Sequence, residues 1–296
     1  MATPNFMIIG VARCGTTSLF HYLKQHPNVD FSNIKEPKYF SSQFLEFPHN
    51  GPGDNTVDKK IVKNKTDYDH LFSGKNVKAL GEASSDYFYY HKHTAQKIKD
   101  ELGDIKIIIS IRNPIERSFS AFSNLLRDQR ENLTFEAAIE EEENRIANNW
   151  DWMWAYKNGS LYAEGIKTFM EVFTNVKVIL FEDICNHPEE TVMDTFKFLE
   201  VEPFQDINVN TKYSHSGAPK NKISALLSDR KNPVIYFFRN LAIKMIPRSI
   251  LEQVASKMFN KGEIPHETKT KLKEYFKEDI LKTEKLLNRS LQNWLD

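Results

Sequence analysis

The sequence predicts a three-layer α/β fold in which a central parallel sheet is flanked by helices. Three apolar runs indicate strands of this sheet, and they are Phe6–Ile9, Ile105–Ile111 and Val176–Phe181. The second run is almost continuous β-branched sequence, which is typical of a strand covered on both faces in a parallel sheet. A helical pattern follows each run, and strands that alternate with helices indicate βαβ units with right-handed crossovers.

The first strand is followed by a loop between two glycines, Gly10 and Gly15, and then by a predicted helix over 17–25. Apolar residues at helical spacing share one face of this helix, namely Leu19, Phe20 and Leu23. Pro27 lies just beyond the helix, where a proline commonly follows a helix end.

The two later strands are followed by helices in the same way. Arg112-Asn-Pro114 ends the second strand, and apolar residues then recur at helical spacing at Phe119, Phe122 and Leu126. Pro188 follows the third strand and precedes a helical pattern with apolar positions at Val192, Phe196 and Leu199. The final part of the chain predicts a charged amphipathic helix with an apolar stripe of Leu272, Phe276, Ile280 and Leu287.

The composition describes a globular protein of balanced charge. Forty basic and forty acidic residues give the 296-residue chain a formal net charge of zero. This balance argues against a nucleic-acid binder, whose affinity rests on surplus positive charge. No stretch approaches the roughly 20 apolar residues of a membrane helix, and the start lacks the pattern of a signal peptide. Cys14 and Cys185 are too few for a disulfide framework or a cysteine-based zinc site, and no metal is expected. We therefore expect a cytoplasmic protein.

We expect one domain over residues 1–296, because the motifs described below lie near both ends of the chain. Two regions fit the alternation of strands and helices poorly and are expected to be loop or lid excursions. Residues 41–76 are rich in Ser, Asn, Gly, Pro and charge, and residues 205–265 mix polar turns with an apolar, basic stretch at 234–246. That stretch is compatible with a buried helix and with contact to a membrane surface.

The segment Gly10-Val-Ala-Arg-Cys-Gly-Thr-Thr17 has the G-x4-G spacing of a P-loop between strand and helix. Such a loop offers backbone N–H groups and a helix N-terminus to an anion. Thr16 stands where a nucleotide triphosphatase carries its lysine, and the nearest cation, Arg13, lies inside the loop. This favours a less charged terminal group than a triphosphate, although an ordinary tight turn has the same spacing.

Several motifs resemble, in order along the chain, those of sulfotransferases that use 3′-phosphoadenosine 5′-phosphosulfate (PAPS). The glycine-bounded loop resembles the 5′-phosphosulfate loop, and Ile111–Ser120, with an Arg followed eight residues later by a Ser, resembles the 3′-phosphate motif. Lys35-Glu-Pro-Lys-Tyr-Phe40 resembles the segment after the first helix in bacterial and glycan-type members, which include the heparan sulfate sulfotransferases. Shorter resemblances lie at 159–162, 181–183, 196–199 and 287–294.

The resemblance implies a set of nucleotide ligands. Arg13 stands where many members carry Lys and is expected to stabilise the charge that develops on the bridging oxygen. Arg112 and Ser120 are expected to bind the 3′-phosphate, and Lys220 is expected to come from a loop that closes over the nucleotide. The 5′-phosphosulfate is expected to lie, together with Arg13, against Cys14, Gly15, Thr16, Thr17 and Ser18.

The resemblance also implies a general base. Glu36 matches the glutamate that takes the acceptor's proton in glycan-type relatives, although Lys35 and Lys38 flank it and are compatible with a plain salt bridge. Some members carry a catalytic lysine where this chain has Ala83. The remaining candidates for the base are Glu82, Asp86, His91 and His93.

Three roles stay open for the aromatic segment Trp150-Asp-Trp-Met-Trp-Ala-Tyr156: the wall of an acceptor pocket, core packing, and contact in a homodimer. Taken together, the residues predict an enzyme that moves the sulfuryl group of PAPS to a hydroxyl or amine. Its acceptor is expected to be a small molecule, a secondary metabolite or a glycan, and its product adenosine 3′,5′-bisphosphate (PAP). The alternatives are a P-loop kinase that uses ATP and magnesium, and a non-catalytic nucleotide-binding module.

Overall fold

The computed structural model describes residues 2–211, 218–219, 259–260 and 262–296. Five strands form one parallel sheet in the order β2-β3-β1-β4-β5. Their bounds are Phe6–Gly10 for β1, Val29–Phe31 for β2, Ala79–Ala83 for β3, Lys106–Ile111 for β4 and Val176–Leu180 for β5. Lys220 and the stretch 234–246 lie outside the described residues.

Helices flank this sheet, and short helices interrupt the connections between them. Those before β4 are α1 Thr16–Leu23, α2 Tyr39–Ser42, α3 Asp54–Asp58, α4 Lys65–His70, α5 Asp86–Tyr89 and α6 His91–Leu102. Between β4 and β5 lie α7 Pro114–Arg127, α8 Phe135–Glu140, α9 Glu142–Ala147 and α10 Ala163–Val172. After β5 come α11 Phe181–Asn186, α12 Pro188–Phe198 and the last helix, His266–Leu287.

Short irregular elements complete the described part of the chain. Single 3₁₀ turns occupy Trp152–Trp154, Asn158–Ser160 and Gln292–Trp294. Two two-residue strands, β6 Ala218–Pro219 and β7 Phe259–Asn260, pair antiparallel with each other. Within 41–76, which the sequence predicts as a loop excursion, the chain forms α3, α4 and the end of α2.

The predicted α/β architecture is confirmed by the burial of both faces of the sheet. Met7 and Ile9 of β1 pack in one apolar cluster, whereas Phe6 and Ile8 pack in the other. Because successive side chains of a strand point to opposite faces, each face of β1 is covered by a separate apolar layer. All five residues of β1 are buried, as expected for the central strand of a three-layer fold.

The β1 and β4 strands are neighbours at the centre of the sheet, and the chain leaves them in opposite directions. After β1 the chain runs to β2 at one edge, and after β4 it runs to β5 at the other. This arrangement creates a topological switch point, and the crevice beside it, at the carboxyl ends of the strands, is where open α/β sheets bind ligands. The segments that follow β1 and β4 therefore meet at one crevice.

Candidate functional site

The start of α1 is suited to bind an anion. It follows the β1–α1 loop, residues 11–15, and Gly15 occupies its N-cap position in the left-handed conformation with φ of 86°. No side chain caps α1, and its first turn contains no acidic residue. The N–H groups of a first helical turn lack acceptors inside the helix and carry the positive end of the helix dipole. They therefore face the crevice as donors for an anion.

By contrast, the N-terminus of α7 is capped by residues of its own sequence. The Asn113 side chain accepts hydrogen bonds from the N–H groups of Ile115 at 3.0 Å and Glu116 at 3.4 Å. Pro114 takes the first helical position, where its missing N–H costs nothing. Of the two helices that begin at the crevice after β1 and β4, only α1 has an uncapped first turn.

Arg13 joins the β1–α1 loop to α7. Its Nε donates to Oγ of Ser120 at 3.2 Å, and its Nη1 donates to Oδ1 of Asn124 at 3.1 Å. The residue adopts a left-handed backbone conformation with φ of 74°, which is uncommon outside glycine. Two residues predicted for opposite ends of the nucleotide, Arg13 and Ser120, are thus in direct contact.

Phe181, the first residue of α11, brings Arg112 to the same crevice. The guanidinium carbon of Arg112 lies 4.6 Å from the centroid of the Phe181 ring. A Cβ added to Gly15 would lie 3.0 Å from Cδ2 of that ring and 3.1 Å from Cδ1 of Ile184. Gly15 is therefore required both by its positive φ and by this close approach. Arg112 also pairs with Glu116, at 3.2 Å.

Several cations surround the β1–α1 loop. Burial, together with the positive charges of Arg127, Arg112 and Arg117, lowers the pKa of Arg13 to about 9, while the carboxylate of Asp128 acts in the opposite direction. Such a concentration of positive charge is stabilised when an anion enters, because opposite charges at short range favour each other's ionised form. The crevice is therefore electrostatically prepared for a negatively charged ligand.

The remaining residues of the loop and first turn divide between core and crevice. Thr16 is buried, whereas Thr17 and Ser18 are half-buried. Cys14 is fully buried, its N–H donates to the Val11 carbonyl at 3.2 Å, and its sulfur lies 4.0 Å from the Tyr162 hydroxyl. Burial raises the pKa of the Cys14 thiol to about 12. Although the sequence predicts Cys14 as a nucleotide ligand, its side chain and N–H are used within the fold.

Glu36 lies at the carboxyl end of β3, in a turn with positive φ of 60°. Its two carboxylate oxygens accept hydrogen bonds from the N–H and hydroxyl of Ser85, both at 2.8 Å, and from Lys35 Nζ at 2.9 Å. Burial acts to raise its pKa, but the charges of Lys35 and Lys38 and these hydrogen bonds outweigh it and leave the pKa lowered. Glu36 is therefore ionised, as a proton acceptor must be.

Lys38 is the centre of a buried polar group that we call the Lys38 cluster: Glu36, Lys38, Asp86, Asp151 and Trp152. Lys38 is only 6% exposed, and its ammonium lies 5.5 Å from the centroid of the Trp152 ring. Burial alone would lower its pKa, but the charges of Asp151, Asp86 and Glu36 raise it overall. Among the described residues, no carboxylate forms an ion pair with Lys38 at contact distance.

Two further atoms of the Lys38 cluster are buried without a partner among the described residues, Oδ1 of Asp86 and Nε1 of Trp152. Oδ2 of Asp86 accepts from the Ser41 hydroxyl. Burial raises the pKa of Asp86 to about 6, with Lys38 opposing the rise and Glu36 adding to it. A buried polar atom without a partner is costly, so these atoms are equipped to bind a ligand that both donates and accepts hydrogen bonds.

The other candidates for the base are engaged elsewhere. Glu82 is fully buried in β3, where its Oε2 accepts from the hydroxyls of Tyr87 at 3.0 Å and Tyr68 at 3.2 Å. Burial raises its pKa to about 8. His91 contacts Thr168 Oγ1 at 2.8 Å, and His93 stacks on Phe44 with ring centroids 4.6 Å apart.

Most of the aromatic segment packs in the core. Trp154 is 1% exposed, and its Nε1 donates to Oδ1 of Asp54 at 3.1 Å. Tyr156 is fully buried and donates its hydroxyl to Oε2 of Glu131 at 2.8 Å. Only Trp152 joins the Lys38 cluster. One ring therefore lies beside Lys38, whereas the other two hold the fold.

Two residues beside the β1–α1 loop were not singled out from the sequence, Arg117 and Asn124. Asn124 accepts hydrogen bonds from Arg13 at 3.1 Å and from Arg127 at 2.8 Å. Arg117 is 1% exposed, and its Nε donates to the Ala12 carbonyl at 3.1 Å. Helical periodicity gave no signal for Arg117, because a residue two positions from both Ile115 and Phe119 lies on the opposite side of the helix from them.

The sulfotransferase domain family matches the chain over residues 3–277. The chain belongs to the sulfotransferase family. This sulfotransferase is 31% identical to a sulfotransferase from Alicyclobacillus acidocaldarius, whose crystal structure it matches over the full length of both chains with a TM-score of 0.80. The family membership predicted from the sequence is therefore confirmed.

Curated relatives of this sulfotransferase include enzymes of carbohydrate sulfation. It is 27% identical over 208 residues to the membrane-associated sulfotransferase kil1 of Dictyostelium discoideum and 25% identical over 255 residues to carbohydrate sulfotransferase 15 of Mus musculus. It is 25% identical over 178 residues to heparan sulfate glucosamine 3-O-sulfotransferase 3B1 of Homo sapiens. These alignments cover 68%, 69% and 60% of this chain but only 40%, 45% and 40% of the relatives. In the described part of the sulfotransferase, no helix is both long and apolar enough to cross a membrane.

Proposed function

We propose that this sulfotransferase transfers the sulfuryl group of PAPS to a hydroxyl or amine by in-line displacement and releases PAP. The contact between Arg13 and Ser120, 3.2 Å between Nε and Oγ, carries the proposal. It joins the loop predicted for the 5′-phosphosulfate to the helix predicted for the 3′-phosphate. A nucleotide with phosphate groups at both positions fits a crevice that has both sites on adjoining elements.

The nucleotide is held by two groups of residues. The uncapped first turn of α1, with Gly15, Thr16, Thr17 and Ser18, receives the 5′-phosphosulfate. Arg112 and Ser120 bind the 3′-phosphate, and Lys220 closes over the nucleotide. Arg13 lies between the two groups, where it stabilises negative charge on the bridging oxygen as the bond from that oxygen to sulfur breaks.

The acceptor loses its proton to Glu36 while its oxygen or nitrogen forms the new bond to sulfur. The bond between sulfur and the bridging oxygen breaks in the same step, and the electron pair leaves with PAP. The lowered pKa of Glu36 keeps its carboxylate ready to accept the proton. Ser85 fixes the orientation of that carboxylate through two hydrogen bonds of 2.8 Å, as geometry requires of a general base.

The Lys38 cluster supports an acceptor with several hydroxyl or amine groups. Lys38 and Nε1 of Trp152 are donors, and Oδ1 of Asp86 is an acceptor. Lys38 and Asp86 each interact electrostatically with Glu36, and the Trp152 ring lies 5.5 Å from the Lys38 ammonium. These donors and this acceptor suit a small polar metabolite or a sugar unit of a glycan, and the names of the curated relatives favour the glycan. We place this reaction in the cytoplasm, without a metal.

The proposal is tested by sulfate transfer from ³⁵S-labelled PAPS to a panel of sugars, amino sugars and secondary-metabolite alcohols. Arg13→Ala should abolish transfer while circular dichroism shows an intact fold. Arg289→Ala is the matched control, because Arg289 pairs with Asp183 on the surface and should leave transfer unchanged. Magnesium-dependent ATP turnover without any response to PAPS would instead identify a kinase, and PAP binding without any transfer would identify a non-catalytic module.

A further inference from the structure

Arg117 is a buried cation with an unusual set of partners. Its Nε donates to the Ala12 carbonyl at 3.1 Å, and its Nη1 lies 3.3 Å from the carbonyls of Ala155 and Tyr156 and from Oγ of Ser160. The guanidinium therefore connects the β1–α1 loop to residues 155–160, the segment that follows Trp152. No other side chain in the described residues bridges these two segments through hydrogen bonds to both.

In the described residues, Arg117 forms no ion pair with a carboxylate at contact distance. The other buried arginines of this region are paired, since Arg130 binds Asp54 and Arg145 binds Glu131. A buried charge without a counter-charge is strongly unfavourable. Neutral carbonyls satisfy the hydrogen bonds of Arg117. The buried Glu142 carboxylate, which accepts from the N–H groups of Lys157 and Asn158, acts on Arg117 through space and not in an ion pair. An anion in the crevice beside the β1–α1 loop would add a second counter-charge.

The contact with Ala12 also fixes the direction of a backbone donor. In a planar trans peptide, the C=O of one residue and the N–H of the next point in opposite directions. Because Arg117 holds the Ala12 carbonyl, the N–H of Arg13 is turned away from Arg117. The same contact keeps a carbonyl dipole from turning towards an anion at the loop, where it would repel that anion.

We infer that Arg117 is a positioning residue for the sulfate-bearing end of the nucleotide, acting through the Ala12 carbonyl, and that the bound 5′-phosphate adds a counter-charge on that side. This inference rests on the proposed use of PAPS. It assigns to α7 a function at each end of the nucleotide: Ser120 at the 3′-phosphate, and Arg117 at the 5′ end through the loop.

The experiment compares PAP with adenosine 3′-monophosphate, which lacks the 5′-phosphate, by titration calorimetry. Arg117→Met should weaken PAP binding about tenfold or more and leave the binding of adenosine 3′-monophosphate unchanged within about twofold. Arg117→Lys, which keeps the charge and one donor, should restore part of the loss. A purely structural role would weaken both ligands alike, so the selectivity for the 5′-phosphate is the decisive readout.

A second variant displaces the guanidinium without removing it. A Cβ on Gly159 would lie 2.7 Å from Nη1 of Arg117, so Gly159→Ala should shift the side chain and reproduce the selective loss if Arg117→Met fails to fold. Arg145→Met is the control for a buried arginine outside the crevice. It should lower the melting temperature while leaving both affinities unchanged.

The outcomes separate this inference from the function on which it rests. An equal loss for both nucleotides, or unchanged PAP binding in folded Arg117→Met and Gly159→Ala, overturns the role of Arg117 alone. Failure of the wild-type protein to bind PAP overturns the proposed use of PAPS, and the role of Arg117 falls with it. A loss confined to PAP, partly restored by Arg117→Lys, supports both.

Discussion

Arg13 and Ser120 are separated by 107 residues in sequence, and the Nε of one donates to the Oγ of the other at 3.2 Å. One residue follows the central strand β1, and the other lies in the second turn of the helix that follows β4. The contact shows that the switch point of the sheet brings the two segments together. It also means that Ser120 holds Arg13 in addition to its proposed contact with the nucleotide.

We expect Ser120→Ala and Asn124→Ala to affect nucleotide binding differently. Ser120→Ala removes a proposed phosphate ligand and a partner of Arg13, so PAP binding should weaken about tenfold and adenosine 3′-monophosphate should weaken as well. Asn124→Ala removes only a partner of Arg13 and Arg127, so adenosine 3′-monophosphate should be unaffected. Titration calorimetry measures both, with Ser123→Ala on the same helix as control. If wild type and Ser120→Ala bind PAP with equal affinity, Ser120 is not a ligand of the nucleotide.

The pH dependence of turnover should identify the base. The lowered pKa of Glu36 predicts that the acid limb of kcat/KM lies below pH 4.5. A limb near pH 6 would identify Asp86 as the base, and one near pH 8 would identify Glu82, because burial raises the pKa values of these two carboxyls to about 6 and about 8. The measurement uses saturating PAPS over pH 4–9, with a check that activity recovers on return to pH 7. Glu36→Gln should lower kcat by at least about a hundredfold.

Glu82 should make the protein less stable as the pH rises. Its pKa is raised from 4.5 to about 8 in the folded state, so the folded protein binds this proton more tightly than the unfolded chain does. The stabilisation is present in full below pH 4.5 and is lost as the pH rises through 8. Glu82→Gln removes this titration. Between pH 5 and pH 8.5, the melting temperature of the variant should therefore fall by roughly 5 °C less than that of the wild type.

Asp86 titrates in the same direction and remains in Glu82→Gln, so some pH dependence should persist in that variant. Glu171→Gln is the exposed control, since its carboxylate lies on the surface of α10. Identical melting curves against pH for wild type and Glu82→Gln would show that Glu82 is already ionised in the folded protein.

Trp152 and Trp154 should respond differently to the same substitution. Phenylalanine removes the indole N–H in both cases, but within the described part of the chain only Nε1 of Trp154 has a partner, Asp54 at 3.1 Å. Trp154→Phe should therefore lower the free energy of unfolding by about 1–2 kcal/mol more than Trp152→Phe does. Urea denaturation measures the difference. Trp152→Phe should instead raise the KM for the acceptor, and equal stabilities for the two variants would contradict the assignment.

Periodicity predicted the elements whose apolar pattern is continuous. The strands β1, β4 and β5, the helices α1, α7 and α12, and the amphipathic last helix all form near their predicted positions. β5 ends at Leu180, and Phe181 begins α11 instead of ending the strand. The β2 and β3 strands had no such pattern, because β2 has three residues and β3 contains Gly81 and Glu82.

Site residues that belong to one continuous motif could be predicted from the sequence. Residues that meet from several separate segments were harder to predict. The β1–α1 loop and Arg112–Ser120 each lie within a single strand–helix junction. The Lys38 cluster joins three separate segments, so spacing could not reveal that Lys38 lies beside Asp86 and Trp152. Cys14 differs for another reason. Its position in the loop suggested a ligand, but its sulfur lies in the core, 4.0 Å from the Tyr162 hydroxyl.

The burial of Cys14 has a practical consequence for spectroscopy. Its shielded, protonated thiol should resist maleimides and iodoacetamides, because the thiolate is the reactive form. Cys185, in contrast, is exposed on α11, the helix whose Phe181 and Ile184 border Gly15. The native chain thus offers one addressable position for a fluorophore, next to Ile184, whose side chain borders the crevice at Gly15. We expect a fluorophore there to report occupancy of that crevice without an engineered cysteine.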